Sequence, residues 1–132
     1  EIVMAAPDLD RETFIEQYAR AFETTPSRIT LYVSARDVPL MTSSSIHRNP
    51  RLGDARAGIP VLPGIETVDV SEAISMTSGH DYYEKNRETL EDMHFLLCEG
   101  LSARDRPTLE KVITDEGTYW KLVPVEQRQE SP

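Results

Sequence analysis

Residues 28–40 read R-I-T-L-Y-V-S-A-R-D-V-P-L, and they constrain the chain more than any other stretch. Ile29, Leu31 and Val33 alternate with Thr30, Tyr32 and Ser34, in a run rich in β-branched and aromatic side chains. That pattern favours a packed, pleated strand over a helix. The run ends at Ser34-Ala35-Arg36, and Asp37 follows at once. A carboxylate just past the C-terminal end of a strand stands where open α/β sheets gather their ligands and chemistry. Asp is equally a preferred helix N-cap, and spacing alone leaves both roles open for Asp37.

The neighbouring segments set this strand in a parallel sheet. Ile2-Val3-Met4-Ala5-Ala6, stopped by Pro7, is a continuous apolar run of the kind buried on both faces of such a sheet. A strand buried that way needs a neighbour on each side, so the chain is expected to be the C-terminal part of a longer domain. Its bare edge would then be a template for pairing with another chain, and hence for self-association. Asp8 or Asp10 can cap a helix whose apolar face carries Phe14, Tyr18 and Phe22, with Ile15 and Ala19 beside them. Strand, helix, strand over this length is a βαβ unit. Beyond Asp37, residues 38–46 suit a short helix with Pro39 in its first turn and Leu40 and Met41 as buried contacts. Residues 47–64, rich in Pro and Gly, read as a loop over the C-terminal edge of the sheet. Residues 65–71 give a third strand, and its mixed faces suggest a place near the sheet's edge. A loop carrying Gly79-His80 leads to a helix over residues 83–101, with Leu90, Met93, Leu97 and Leu101 as its stripe. A short amphipathic piece at 109–113 and a final strand at 119–123 complete a folded portion of residues 1–124. The polar segment 125–132 is expected to be a disordered tail.

Composition removes several function classes. The chain has 132 residues and a formal net charge of −9, which argues against the basic footprint that nucleic-acid binding needs. No apolar run approaches the roughly 18 residues of a membrane span. The single Cys98 excludes an internal disulfide and a multi-thiolate zinc site. His47, His80 and His94 fall on three separate elements with no H-x-x-x-H spacing, so no metal or other cofactor is expected.

What remains is a pair. Asp37 follows one strand and His80 follows the next by a short loop, so parallel strands would deliver both to one edge of the sheet. An aspartate that accepts a hydrogen bond from histidine Nδ1–H fixes the tautomer and stabilises the imidazolium, which is the base half of a Ser-His-Asp apparatus. Acid before histidine, with the nucleophile upstream, is the α/β-hydrolase order.

Several short signatures occur in order along nearly the whole chain: A-A-P-D-L-D at residues 5–10, L-Y-V-S-A-R-D at 31–37, R-L-G-D at 51–54, V-D-V-S at 68–71, G-H-D-Y-Y at 79–83 and Y-W-K-L at 119–122. In combination they resemble a bacterial branch of the esterase/lipase-type α/β-hydrolases whose function is unknown. The resemblance implies an α/β fold, here the C-terminal part of a doubly wound sheet with about three parallel strands and crossover helices. It implies Asp37 as triad acid and His80 as general base, acting on a small-molecule ester. It also implies a serine in a G-x-S-x-G elbow upstream, on the N-terminal half that would complete the domain. No G-x-S-x-G occurs in the 132 residues, and Ser43-Ser44-Ser45 lacks the flanking glycines of an elbow, so it reads as helix or loop surface. Asp81 departs from the family pattern, where a small residue is usual, and a second carboxylate beside His80 would raise the imidazole pKa.

The remaining candidates have plainer readings. Asp8 and Asp10 suit helix capping, His47 a solvated loop, His94 and Cys98 half-buried or buried packing, and Tyr82 and Tyr83 support of the histidine loop. The rival to the hydrolase reading is a non-catalytic binding or assembly module that pairs through its exposed sheet edge.

Overall fold

The structure, a computed structural model, describes residues 1–73 and 86–128. Its strands are β1 (Ile2–Ala5), β2 (Ile29–Val33), β3 (Glu66–Asp69), β4 (Leu109–Thr114) and β5 (Gly117–Leu122), in one sheet of order β1-β2-β3-β5-β4. β1, β2, β3 and β5 are parallel, and β4 runs antiparallel to β5. The sheet is therefore larger than the three parallel strands expected. The amphipathic piece at 109–113 is β4, joined to β5 by the two-residue turn Asp115-Glu116, with Thr114 and Gly117 paired across it.

All five residues of β2 are buried, because side chains on both of its faces meet a packed layer. Ile29, Leu31 and Val33 pack with Phe14, Ala19, Leu52 and Ile65 on one side. Tyr32 packs with Leu40, Val68, Val70, Leu96 and Leu122 on the other. This is the two-sided burial of an α/β sheet. β3 lies between β2 and β5, not near the edge that its mixed faces suggested. Its polar residues are tolerated there because they are bonded: the buried Thr67 hydroxyl donates to the Pro60 carbonyl at 2.7 Å. β1, expected to be buried on both faces between two neighbours, has β2 as its one partner in the described sheet and is only partly buried.

The first helix is built from α1 (Arg11–Thr13), a π-helical turn (Phe14–Tyr18) and α2 (Ala19–Glu23). Asp10 is its N-cap, accepting from the Thr13 amide at 2.8 Å. In the π turn the Ala19 amide reaches back to the Phe14 carbonyl, five residues away. The extra residue rotates the face, so Phe14 and Ala19 are buried together while Tyr18 is 54% exposed and Ile15 is exposed too. Phe22 keeps its expected place and stacks on Phe14 with ring centroids 5.6 Å apart.

α3 (Val38–His47) begins at the Asp37 cap with Pro39 in its first turn, burying Leu40 and leaving Met41 half-buried. α4 (Arg87–Leu97) is shorter than expected, and its buried positions are Thr89, Asp92 and Leu96 rather than the Leu90 and Leu97 of the expected stripe. Met93 packs against the core as expected. Cys98, expected to be buried, is exposed, and so is His94, whose Nε2 lies 3.5 Å from Glu99. The segment expected to be a disordered tail opens with a helical turn, α5 (Val125–Arg128). Arg128 there bonds Glu91 at 2.8 Å and the Val123 carbonyl at 2.7 Å.

Candidate functional site

Asp37 stands four residues beyond β2, at the C-terminal edge of the parallel strands, and is 1% exposed. Its Oδ1 accepts the Leu40 amide at 2.9 Å, so it caps α3 and holds an edge position at once. The two roles weighed from the sequence are compatible, since a cap engages one face of the carboxylate. His80 lies outside the described residues, as do Gly79, Asp81, Tyr82 and Tyr83. The described chain leaves toward that segment at Ala73, past the C-terminal end of β3, and resumes at Asn86. Asn86 Nδ2 donates to the Ala73 carbonyl at 2.7 Å while Asn86 Oδ1 accepts the Thr89 amide at 2.8 Å. The ends of the histidine-bearing segment therefore meet on the sheet edge where Asp37 stands.

R-L-G-D occupies the gap that opens where β1 and β2 part. The Ala6 amide still donates to Tyr32, but beyond it the Gly53 amide takes the Pro7 carbonyl and the Leu52 amide takes that of Leu9. On the other flank Ser34 donates to the Gly53 carbonyl at 3.0 Å and receives the Ala55 amide at 3.1 Å. Residues 53–55 thus act as a short splint between the strand ends. Only glycine fits at its start, because a Cβ on Gly53 would lie 2.6 Å from the Ala6 carbonyl carbon.

The polar side chains around the splint are paired. Asp54 is buried and takes hydrogen bonds from Arg56, from the Arg56 amide at 3.0 Å and from Ser44 Oγ at 3.1 Å. Burial pushes its carboxyl up, but the bonds and charge of Arg56 outweigh that and hold it below its ordinary range. Asp8 pairs with Arg51 at 2.6 Å and accepts from Ser43 Oγ at 2.7 Å. Burial again opposes these partners and loses, leaving Asp8 lowered. Asp8 is therefore an ion-pair partner, and Asp10 alone caps the helix. Ser45 Oγ donates to the Met41 carbonyl at 2.9 Å, so the hydroxyls of the serine cluster are all engaged in structure. His47 is exposed as expected, but it is the last residue of α3 rather than part of the loop that follows.

Sequence reasoning missed a fully buried polar cluster between β2, α4 and the segment before β4. Asp92 Oδ2 accepts the Tyr32 hydroxyl at 2.6 Å and Arg106 Nη1 at 2.7 Å, and its Oδ1 accepts the Thr108 hydroxyl. The Arg106 and Asp92 side chains are both 0% exposed. Burial, then the Asp92 charge, pushes the Tyr32 phenol well above its ordinary value, so it remains a neutral donor. The pointer was available: Asp92 falls three residues after Thr89 and four before Leu96, on the face that turns inward. Among the described residues no group of His, Cys, Asp and Glu has the arrangement to hold a metal ion.

A family described as alpha/beta hydrolase of unknown function (DUF900) matches residues 1–94, which include Asp37, the splint and the histidine-bearing segment. No curated protein and no solved structure gives a match to the chain.

Proposed function

The chain belongs to this family of α/β hydrolases of unknown function, and on that premise we propose that Asp37 and His80 are the acid and base of a serine-hydrolase site. Asp37 accepts the His80 Nδ1–H, and His80 Nε2 takes the serine proton and later returns one to the leaving alcohol. The reaction is acyl transfer from a carboxylic ester to water through a serine ester. The serine and the oxyanion hole are assigned to chain N-terminal to Glu1, where an adjoining strand would also cover β1. The observation that carries this reading is the burial of Asp37 at the edge where the segment containing His80 leaves and rejoins the described chain. The engaged hydroxyls of Ser43, Ser44 and Ser45 support an outside nucleophile.

The test compares this chain with one extended upstream through an in-frame G-x-S-x-G. The 132-residue chain should hydrolyse activated esters no faster than its His80→Ala variant. The extended protein should turn over, and Asp37→Asn should lower its kcat by roughly 10³–10⁴-fold. Asn keeps the helix cap, so that loss would not reflect unfolding. Turnover that is indifferent to Asp37→Asn rejects the assignment. The assembly-module reading draws on one observation: β1 carries no charge, proline or bulge, whereas the opposite edge strand, β4, carries Glu110 and Lys111.

A further inference from the structure

We propose that Ser71, oriented by Asp69, is a positioning residue for Asp37, a role that rests on the reading of Asp37 as the acid. Both belong to the V-D-V-S signature, which the triad itself leaves without a task.

β2 and β3 exchange their last backbone bond at this edge when Val70 N–H donates to the Val33 carbonyl at 2.9 Å. By strand alternation, the next donor of the β2 chain facing β3 is the Ala35 amide. It finds a side chain where the ladder would have supplied a carbonyl: Ser71 Oγ accepts it at 2.8 Å. The hydroxyl is held by Asp69, whose Oδ1 accepts both the Ser71 Oγ–H and the Ser71 amide, the latter at 3.0 Å. With its one proton committed to Asp69, the oxygen can only accept from Ala35. The Asp69 carboxylate therefore fixes the direction of the Ser71 lone pairs.

The consequence reaches Asp37 through two peptide units. The amides of Ser34, Ala35 and Arg36 are taken by the Gly53 carbonyl, Ser71 Oγ and Ser34 Oγ at 3.0, 2.8 and 3.0 Å. Two of these acceptors come from the splint and from the turn itself. The Ser71 bond ties the turn to β3, the strand from which the chain proceeds toward His80. An acid and a base carried by adjacent strands need that cross-tie, because catalysis tolerates misplacement poorly.

Amide hydrogen exchange on the 132-residue chain tests this, with Leu40 as reporter because its amide is bonded to Asp37 Oδ1. In Ser71→Ala the Leu40 amide should exchange about five- to tenfold faster than in the parent, the loss of roughly one hydrogen bond. Leu31, in the middle of β2, should change much less, and Ser71→Thr should restore Leu40. Asp69→Asn, which keeps an acceptor but drops the charge, should move Leu40 in the same direction and less far. It serves as the deciding variant if Ser71→Ala does not fold. Equal changes at Leu31 and Leu40, or a Thr variant that behaves like Ala, overturn the proposal. The readout needs no turnover, so it fails separately from the hydrolase reading, which falls on indifference of hydrolysis to Asp37→Asn.

Discussion

Asp54 shows how much one carboxylate can organise when every lone pair is used. It bonds Arg56 and Ser44, and its backbone forms a bridge with Ser34. Its lowered pKa fixes the sign of a pH effect. The ordinary value is 3.8. Above that, Asp54 is ionised whether the chain is folded or not, and its stabilisation is fully present. As pH falls below 3.8 through the lower folded value, the unfolded chain takes up a proton that the folded chain resists, and the contribution is lost. Asp54→Asn should therefore be clearly less stable than the parent in urea near pH 7, and the gap should narrow by about pH 3. A gap that is constant across that range would mean that Asp54 is not held ionised by Arg56. The buried Asp92 answers a different need. Its partners are Tyr32 on β2 and Arg106 and Thr108 in the segment before β4, so it ties α4 to both.

At the scale of elements, α4 separates what a periodic pattern reveals from what it hides. A stripe of Leu90, Met93 and Leu97 counts apolar residues and passes over Asp92. The observed face runs one position off, through Thr89, Asp92 and Leu96, because a charge with a buried partner belongs inside. Leu96 is 0% exposed and Leu97 is 57% exposed. Leu96→Ala should cost about 2–5 kcal/mol and Leu97→Ala within about 0.5 kcal/mol, read as shifts in denaturant midpoint. The opposite ranking would restore the apolar stripe. The strands were legible because alternation in residues 29–33 and the apolar run at 2–6 are local facts, and the Asp37 cap and edge position followed from them. The Phe14–Phe22 face was half legible, since no local pattern announces the extra residue of a π turn. β3's central place and β4's existence depend on which chains lie alongside, and the Asp92–Arg106 pair joins positions 14 residues apart through the fold. Asp37 could be read singly, and Ser71 could not, because its partner is an amide of another strand.

At the scale of the molecule, the two edges of the sheet differ in kind. Ile2 and Ala6 donate to β2-side carbonyls, so Val3 and Ala5 turn their N–H and C=O groups to the side that has no strand among the described residues. An apolar edge of that kind pairs readily. The 132-residue chain at tens of micromolar is expected to sediment as dimers or larger species, and a Val3→Lys variant to shift toward monomer. A monodisperse monomer with a sharp melt would make β1 a self-sufficient edge. The splint closes another opening. Residues 53–55 fill the slot between the ends of β1 and β2, on the carboxyl edge where open α/β sheets bind their ligands. Among the described residues that flank is filled, while on the other side β3 leads on toward the segment that carries His80. If Asp37 is the acid of the proposed site, an ester would enter and its products leave by the β3 side, away from the splint.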